Sequence, residues 1–205
     1  MSDWQIARHR VAIAGRVLDG ATGKPVAGAV VSMTAMPSAF QERLARAFST
    51  RHDGDRVRLD GTCTRRDGLF YFLDLPDGKY TLGAAMPVMS SRYGTAQASS
   101  HVSRDGQGSL KTSFVTLTLL PTVVKGKIVG SAHKNGVAMA EVRVKGSGEH
   151  TYSDAQGQYA VAGIEAGKRV LLVSAQGYQR ATQNVTLAEP GIAKTVDFSL
   201  TRESG

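Results

Sequence analysis

The sequence contains one cysteine and no long apolar run, and each shortage excludes a class of protein. Cys63 is the only cysteine among 205 residues, so no internal disulfide can form, which fits a reducing compartment. No apolar stretch approaches the ~20 residues that a bilayer-spanning helix needs. The beginning of the chain does not combine a basic segment with an apolar one, as a secretory signal does. We therefore expect a cytoplasmic protein, for which release as part of a particle stays an open alternative.

Signatures of catalysis and of metal binding are absent from the sequence too. It contains no H-E-x-x-H, no G-x-S-x-G and no phosphate-binding P-loop. Arg65 and Arg66 follow Cys63 closely, but no histidine lies in the same stretch to act as a general base. The histidines are widely separated in sequence, at His9, His52, His101, His133 and His150. We predict no enzymatic activity, no catalytic residue, no cofactor and no metal ion.

The chain has an excess of positive charge, but its basic residues are scattered. The formal net charge is +8, from 25 Lys and Arg against 17 Asp and Glu. Basic residues alternate with other types, as in Lys125-Gly126-Lys127, and no segment combines them with clustered aromatic residues as RNA-binding sheets do. This pattern favours a solvated basic sheet surface, and nucleic acid is not expected as a partner.

One pattern of turns and strands occurs twice along the chain. In the first copy Asp67-Gly68 is a turn signal, the apolar run Leu69–Leu73 fits a strand, and Asp77-Gly78 turns the chain again. The second copy repeats this order 89 residues later, with Gly157 and Gly167 at the places of the two glycines. The repeat predicts two modules of the same fold.

Each copy predicts about seven short strands, separated by turn signals roughly every 8 to 12 residues, which is typical of a Greek-key β-sandwich. A single sheet would leave its apolar face in water, so two sheets must pack together in each module. The sequence therefore predicts an all-β fold of two tandem Greek-key β-sandwich modules, with one short helix inserted in the first. The predicted divisions are an N-terminal extension at 1–10, a first module at 11–120 and a second module at 121–202, and we expect residues 122–205 to fold alone.

The first copy has an insertion at 37–61 that the second copy lacks. Its first half predicts a helix over 38–48, with a capping box of Ser38 and Gln41 and an apolar stripe along one side. Its second half, 51–61, predicts a hairpin. A helix this short is not stable in water by itself, so the stripe either caps its own module or docks on another chain. Both alternatives stay open; our hypothesis is docking, with a protein-binding surface formed by Phe40, Leu44, Phe48, Arg51, Arg56 and Arg58.

The residues at the repeated turns and strands also carry a family resemblance. The segments Gly23-Lys24-Pro25-Val26, Asp67–Phe72 and Leu75–Leu82, in this order, resemble the carboxypeptidase regulatory-like module, a transthyretin-like (prealbumin-like) β-sandwich. The second copy, with Gly157-Gln158-Tyr159 and Gly177-Tyr178, resembles it more closely. The resemblance covers nearly the whole chain and implies a non-catalytic accessory or binding module. It implies nothing about the insertion in the first copy.

These observations favour a non-enzymatic structural or adaptor protein that mediates protein-protein contacts in a larger bacterial assembly, for instance a phage-tail-like contractile particle. The alternative is a surface or envelope module that binds a ligand such as carbohydrate or peptide. Sugar-binding faces need exposed tryptophan and tyrosine, and the only tryptophan is Trp4, near the terminus. The sequence therefore favours the first function, without identifying the partner.

Overall fold

The computed structural model of the protein describes residues 9–49 and 58–203, with side chains for all of these except residues 48 and 49. The chain divides into two compact units. The first consists of the chain up to Pro87 together with Thr95–Leu119, and the second of Val88–Gly94 together with the chain from Leu120 onward. None of the described helices is long and apolar enough to cross a membrane.

The first unit is built from two sheets and one α-helix. Its central strand β1 lies between β4, which is antiparallel to it, and β8, which is parallel to it. The second sheet has the order β3-β2-β5-β6-β7. The elements are β1 (Val11–Asp19), β2 (Val30–Ala35), α1 (Ser38–Ser49), β3 (Gly61–Cys63), β4 (Leu69–Leu73), β5 (Gly78–Ala85), β6 (Ala96–Arg104), β7 (Leu110–Lys111) and β8 (Ser113–Leu119).

The second unit repeats the main connectivity of the first, but one of its sheets has four strands instead of five. Its central strand β9 pairs with β12 in antiparallel fashion and, on the other side, with β15 and β16 in parallel. The other sheet has the order β11-β10-β13-β14. The strands are β9 (Val123–Gly130), β10 (Glu141–Val144), β11 (His150–Tyr152), β12 (Gln158–Ala162), β13 (Gly167–Ser174), β14 (Ala181–Leu187), β15 (Ala193–Thr195) and β16 (Phe198–Leu200). The predicted all-β sandwich fold with a short helix in its first half is confirmed.

Strand β4 shows how the sequence separates the core from the surface. Phe70 and Phe72 face the core with exposed fractions of 1% and 4%, whereas the alternate residues Tyr71 and Leu73 point outward with 36% and 45%. This follows from the two-residue period of a strand, which places neighbouring side chains on opposite faces of the sheet. The same alternation holds along β8, so the outer face of the β4-β1-β8 sheet is accessible on both sides of β1.

Two glycines at equivalent positions let the central strand of each unit pack closely. A Cβ atom at Gly15 would collide with the ring of Phe70 and with the carbonyl oxygen of Val115, and one at Gly126 would collide with the carbonyl of Val196. Only glycine leaves room for these neighbours. The repeat of glycine at an offset of 111 residues is therefore a packing requirement of the fold.

Helix α1 starts directly after Pro37, which occupies the N-cap position because its carbonyl accepts the first intrahelical hydrogen bond. The backbone N–H groups of Phe40 and Gln41 donate to the Pro37 carbonyl at 3.0 and 3.1 Å. The Gln41 side chain donates to the carbonyl of Met36 at 3.1 Å. The Gln41 side chain thus stabilises the start of the helix by a hydrogen bond to the Met36 carbonyl, and not by the predicted capping box with Ser38.

Candidate protein-binding surface

The structure places the apolar side of α1 inside the first unit. Phe40 is 1% exposed and Leu44 is 9% exposed. The Phe40 ring packs edge to face on the buried Tyr80, with ring centroids 6.0 Å apart. Neither side chain is available to a partner while the first unit is folded. The assignment of Phe40 and Leu44 to a protein-binding surface is therefore corrected: the helix caps its own module.

Only one other residue of the predicted surface can be placed. The Phe48 side chain, Arg51 and Arg56 lie outside the described residues. Arg58 is exposed, and its Nη2 and Nε donate to the two carboxylate oxygens of Asp60 at 3.1 and 3.3 Å. The hydrogen bond from Arg58 lowers the pKa of Asp60. Arg58 is thus bound to a neighbour in its own loop.

The residue beneath the helix differs between the two units. Tyr80 is fully buried under Phe40, and its hydroxyl donates to the Pro76 carbonyl at 2.9 Å. Burial first, and then the nearby Asp77 carboxylate, raise its pKa to about 12. The equivalent residue in the second unit is Arg169, whose Nε donates to the Glu165 carbonyl at 2.9 Å. The hydrogen bond to the turn is the same, but only the tyrosine needs an apolar cover.

The second unit is covered at the corresponding turn by Val88–Gly94, which we call the strap. Arg92 of the strap forms an ion pair with Glu149, donates to Glu165 Oε1 at 3.2 Å and donates to the Gly163 carbonyl at 2.9 Å. The strap backbone is also held, because the carbonyl of Arg92 accepts from the N–H of Thr122 at 2.8 Å. The second unit therefore includes a segment that comes from between two strands of the first.

An arginine from an added segment caps the same turn carbonyl in both units. In the first, Arg43 of α1 donates to the carbonyl of Asp74 at 2.6 Å. In the second, Arg92 donates to Gly163, which lies at the equivalent position 89 residues later. Asp74 and Gly163 both have positive φ, 53° and 74°. The helix and the strap are thus two different solutions to capping one turn of the fold.

The outer face of the β4-β1-β8 sheet carries a row of apolar side chains. Tyr71 of β4 and Phe114 of β8 both lie opposite Ala14 of β1. Phe114 is 59% exposed. With Leu73 at the end of β4, these residues form what we call the apolar face, which consists of Ala14, Tyr71, Leu73 and Phe114. Side chains directly opposite on neighbouring strands touch, so the face is continuous across the three strands.

The same face of the second unit is not apolar. Ala160 of β12 and Thr195 of β15 lie opposite Lys125 of β9, in the arrangement that Tyr71, Phe114 and Ala14 have in the first unit. Ala162 stands at the place of Leu73. Because the two units share their connectivity, the fold itself does not demand large apolar residues here. The large side chains of the apolar face therefore serve a purpose other than folding.

The outer edge of β4 has no neighbouring strand among the described residues, and we call it open. Gly68 accepts from Val17 N–H and Asp74 N–H donates to Arg10, each at 2.9 Å. Antiparallel strands bond through alternate residues. Phe70 and Phe72, which lie at alternate positions between Gly68 and Asp74, therefore bond to β1 as well. The N–H and C=O groups of Tyr71 and Leu73 point the other way, and within the described residues they have no hydrogen-bond partner.

A groove of about 410 Å³ runs beside this edge. Its walls include Thr62, exposed Cys63 and Arg65 as well as Tyr71 and Leu73. The Arg65 guanidinium lies over the Tyr71 ring, 5.7 Å from its centroid. We call this feature the edge groove. It gives the open edge of β4 space for a further chain segment.

The histidines do not form a metal site in the described part of the chain, where no group of three or more His, Cys, Asp or Glu side chains could hold a metal ion. His9 Nδ1 lies 2.5 Å from Asp74 Oδ2. The His150 ring meets Tyr152 edge to face, with centroids 6.2 Å apart. Both histidines thus serve local contacts on the surface.

A comparison with known protein families matches the second unit. Residues 124–204 match the CarboxypepD_reg-like domain family, which confirms the resemblance inferred from the sequence for the second copy. No curated protein sequence matches the chain at a significant level.

Similar solved structures cover most of this chain at low identity. The shaft pilin SpaA from Lactobacillus rhamnosus GG is 11% identical with a TM-score of 0.42, over 94% of this chain and 97% of the pilin. The Bacillus anthracis TIE protein is 14% identical with a TM-score of 0.38, over 94% of this chain and 34% of that protein. A streptococcal ancillary pilin is 15% identical with a TM-score of 0.34, over 93% of this chain and 62% of the pilin. The chain thus spans about a third of the TIE protein's length.

Proposed function

We propose that the chain, whose residues 124–204 form a CarboxypepD_reg-like domain, is a non-enzymatic structural or adaptor protein that binds another protein of a larger bacterial assembly through its apolar face. One observation carries the proposal: Tyr71, Leu73 and Phe114 are exposed where the second copy of the fold has Ala160, Ala162 and Thr195. Exposed aromatic and aliphatic side chains in one continuous patch are typical of protein interfaces.

The identity of the assembly is a finer proposal. A phage-tail-like contractile particle in the bacterial cytoplasm is our suggestion, supported by the pattern of turns and strands that occurs twice along the chain. The alternative, a surface module that binds carbohydrate, has less support. The exposed aromatic Tyr152 meets His150 at an angle of 89°, so the two rings do not form a flat stacking platform.

The test replaces the apolar face by the residues of the second unit, in the triple variant Tyr71→Ala, Leu73→Ala and Phe114→Thr. Because β12 and β15 carry these residues in the same connectivity, the variant should fold. In extracts of the source cells, separated by size, the natural chain should migrate with a large particle and the triple variant as free chain. The control Tyr152→Ala removes an equally exposed aromatic from the second unit and should leave the particle intact. A natural chain that migrates alone, or a triple variant that stays in the particle, contradicts the proposal.

A further inference from the structure

We propose that the partner docks by adding an extended acidic strand to the outer edge of β4, with its side chains in the edge groove. This inference rests on the proposed function and specifies the partner's form and charge. It draws on the open backbone groups of β4, the side chains around them and the charges that flank them.

The backbone of β4 offers hydrogen bonds to a further strand. Tyr71 and Leu73 each present an N–H and a C=O at the edge, and a strand paired with them would satisfy all four groups. Proteins usually protect such edges with proline, lysine or a bulge within the strand. The run Leu69–Leu73 contains neither proline nor lysine, and its side chains at the edge are tyrosine and leucine. This edge is therefore suited to receive a strand.

The charges beside the edge are positive. Arg65 and Arg66 precede β4 and are exposed, and Arg16 lies opposite Leu69 on the outer face. None of the three arginines forms an ion pair with a described residue. Two acidic residues flank β4, and both have partners: Asp67 accepts from the Leu69 N–H at 3.0 Å, and Asp74 accepts from the Arg10 N–H at 2.9 Å and lies 2.5 Å from His9 Nδ1. An approaching strand with Glu or Asp would meet guanidinium groups that form no ion pair within the described part of the chain.

The same charges disfavour a second copy of this chain as the occupant. Pairing β4 with β4 of another copy would bring together two chains that each carry a net charge of +8. Like charges set against each other across an interface are unfavourable. The occupant is therefore an acidic strand from a different polypeptide.

The second unit provides an internal comparison. Its strand β12 has the same edge position, but it carries Ala160 and Ala162 where β4 has Tyr71 and Leu73. At the places of Arg65 and Arg66 it has Asp154 and Ala155. The second edge thus lacks both the apolar anchors and the positive charge. Exchanging these residues tests the proposal with substitutions that this fold already accepts.

The experiment measures binding of synthetic peptides to the full chain by isothermal titration calorimetry. The probe is the blocked heptapeptide Val-Glu-Val-Glu-Val-Glu-Val, which has the alternation of a strand. The same peptide with lysine in place of glutamate should bind at least tenfold more weakly. A version methylated at alternate backbone nitrogens should lose binding, because it cannot donate to the edge.

Variants of the chain separate the proposed contacts. Tyr71→Ala with Leu73→Ala should weaken binding of the acidic peptide at least tenfold. Arg65→Asp with Arg66→Ala should remove the preference for the acidic peptide over the basic one. Phe114→Thr, which alters the apolar face away from the edge, should change the affinity less than twofold. Thermal melts of each variant check that the first unit remains folded.

Each alternative outcome overturns the inference in a distinct way. Absence of binding at millimolar peptide, or equal binding of the methylated peptide, rejects strand addition. Equal binding of the basic peptide rejects an acidic partner. A dimer of the chain that Tyr71→Ala with Leu73→Ala abolishes assigns the edge to a second copy. In all these cases the triple variant of the apolar face tests the proposed function separately. The proposed function stands if this variant no longer migrates with the native particle, and it fails if the variant still does.

Discussion

Replacing Phe40 by alanine is expected to lower the free energy of unfolding of the first unit by about 3 to 5 kcal/mol, the usual cost of truncating a buried phenylalanine. The ring is 1% exposed and packs on Tyr80. Its loss would leave a cavity above Tyr80 and weaken the contact that holds α1 in place. Urea denaturation followed by circular dichroism, with hydrogen exchange in β5 as a local probe, measures the change.

The matched control is Glu42→Ala on the exposed side of the same helix. The Glu42 side chain is 72% exposed, and surface substitutions of this kind usually change stability by no more than about 0.5 kcal/mol. A Phe40→Ala protein as stable as the control would mean that α1 does not cap its module. That result would favour the alternative hypothesis, in which α1 docks on another chain.

Replacing Arg92 by alanine is expected to destabilise the second unit by about 2 to 4 kcal/mol, because breaking one partner of a largely buried ion pair leaves the other charge unpaired. The side chains of Arg92 and Glu149 are 29% and 19% exposed. Glu149 Oε2 is buried and is the only such side-chain atom, within the described residues, that has no hydrogen-bond partner. Without Arg92 the carboxylate has little else to compensate its charge.

The destabilisation should depend on pH in a defined direction. Burial raises the pKa of Glu149, but the hydrogen bond from Arg92 and the positive charge around it outweigh burial and bring the pKa below the ordinary value of 4.5. A lowered folded pKa contributes stability that is present above the ordinary value and is lost as pH falls through the folded value. The difference between the natural chain and Arg92→Ala should therefore be larger at pH 7 than at pH 3.5.

Glu149→Gln is the control for this pH dependence. It removes the titrating group, so the stability difference between Glu149→Gln and Glu149→Gln with Arg92→Ala should be nearly independent of pH over this interval. Denaturant melts at several pH values measure both differences. An Arg92→Ala effect that is the same at pH 3.5 and pH 7 would contradict a structural role for the ion pair.

The sandwich fold could be predicted from the sequence because the turn and strand patterns that specify it are local. Turn glycines and two-residue alternation recur in both copies, and Gly15 and Gly126 occupy equivalent positions for the same packing reason. The role of α1 was harder to predict. The second copy folds without a helix, but it has Arg169 where the first has Tyr80, and only the buried tyrosine requires the cover.

The strap and the apolar face were missed for different physical reasons. Arg92 meets Glu149 and Glu165 across 57 and 73 residues of chain, and no local pattern indicates such a contact. Tyr71 and Phe114 fit the alternation of a strand, so the local pattern alone does not single them out. A signal was nevertheless present, because aligning the two copies sets Tyr71 against Ala160 and Phe114 against Thr195.

Hydrogen exchange of the backbone amides in β4 tests the central claim most directly. In the free chain, the N–H groups of Tyr71 and Leu73 should exchange rapidly and that of Phe70 slowly, because of these three residues only Phe70 donates to β1. When the chain is part of its assembly, the Tyr71 and Leu73 amides should become protected. Protection of these two amides in the free chain, or rapid exchange in the assembly, would contradict a partner bound at this edge.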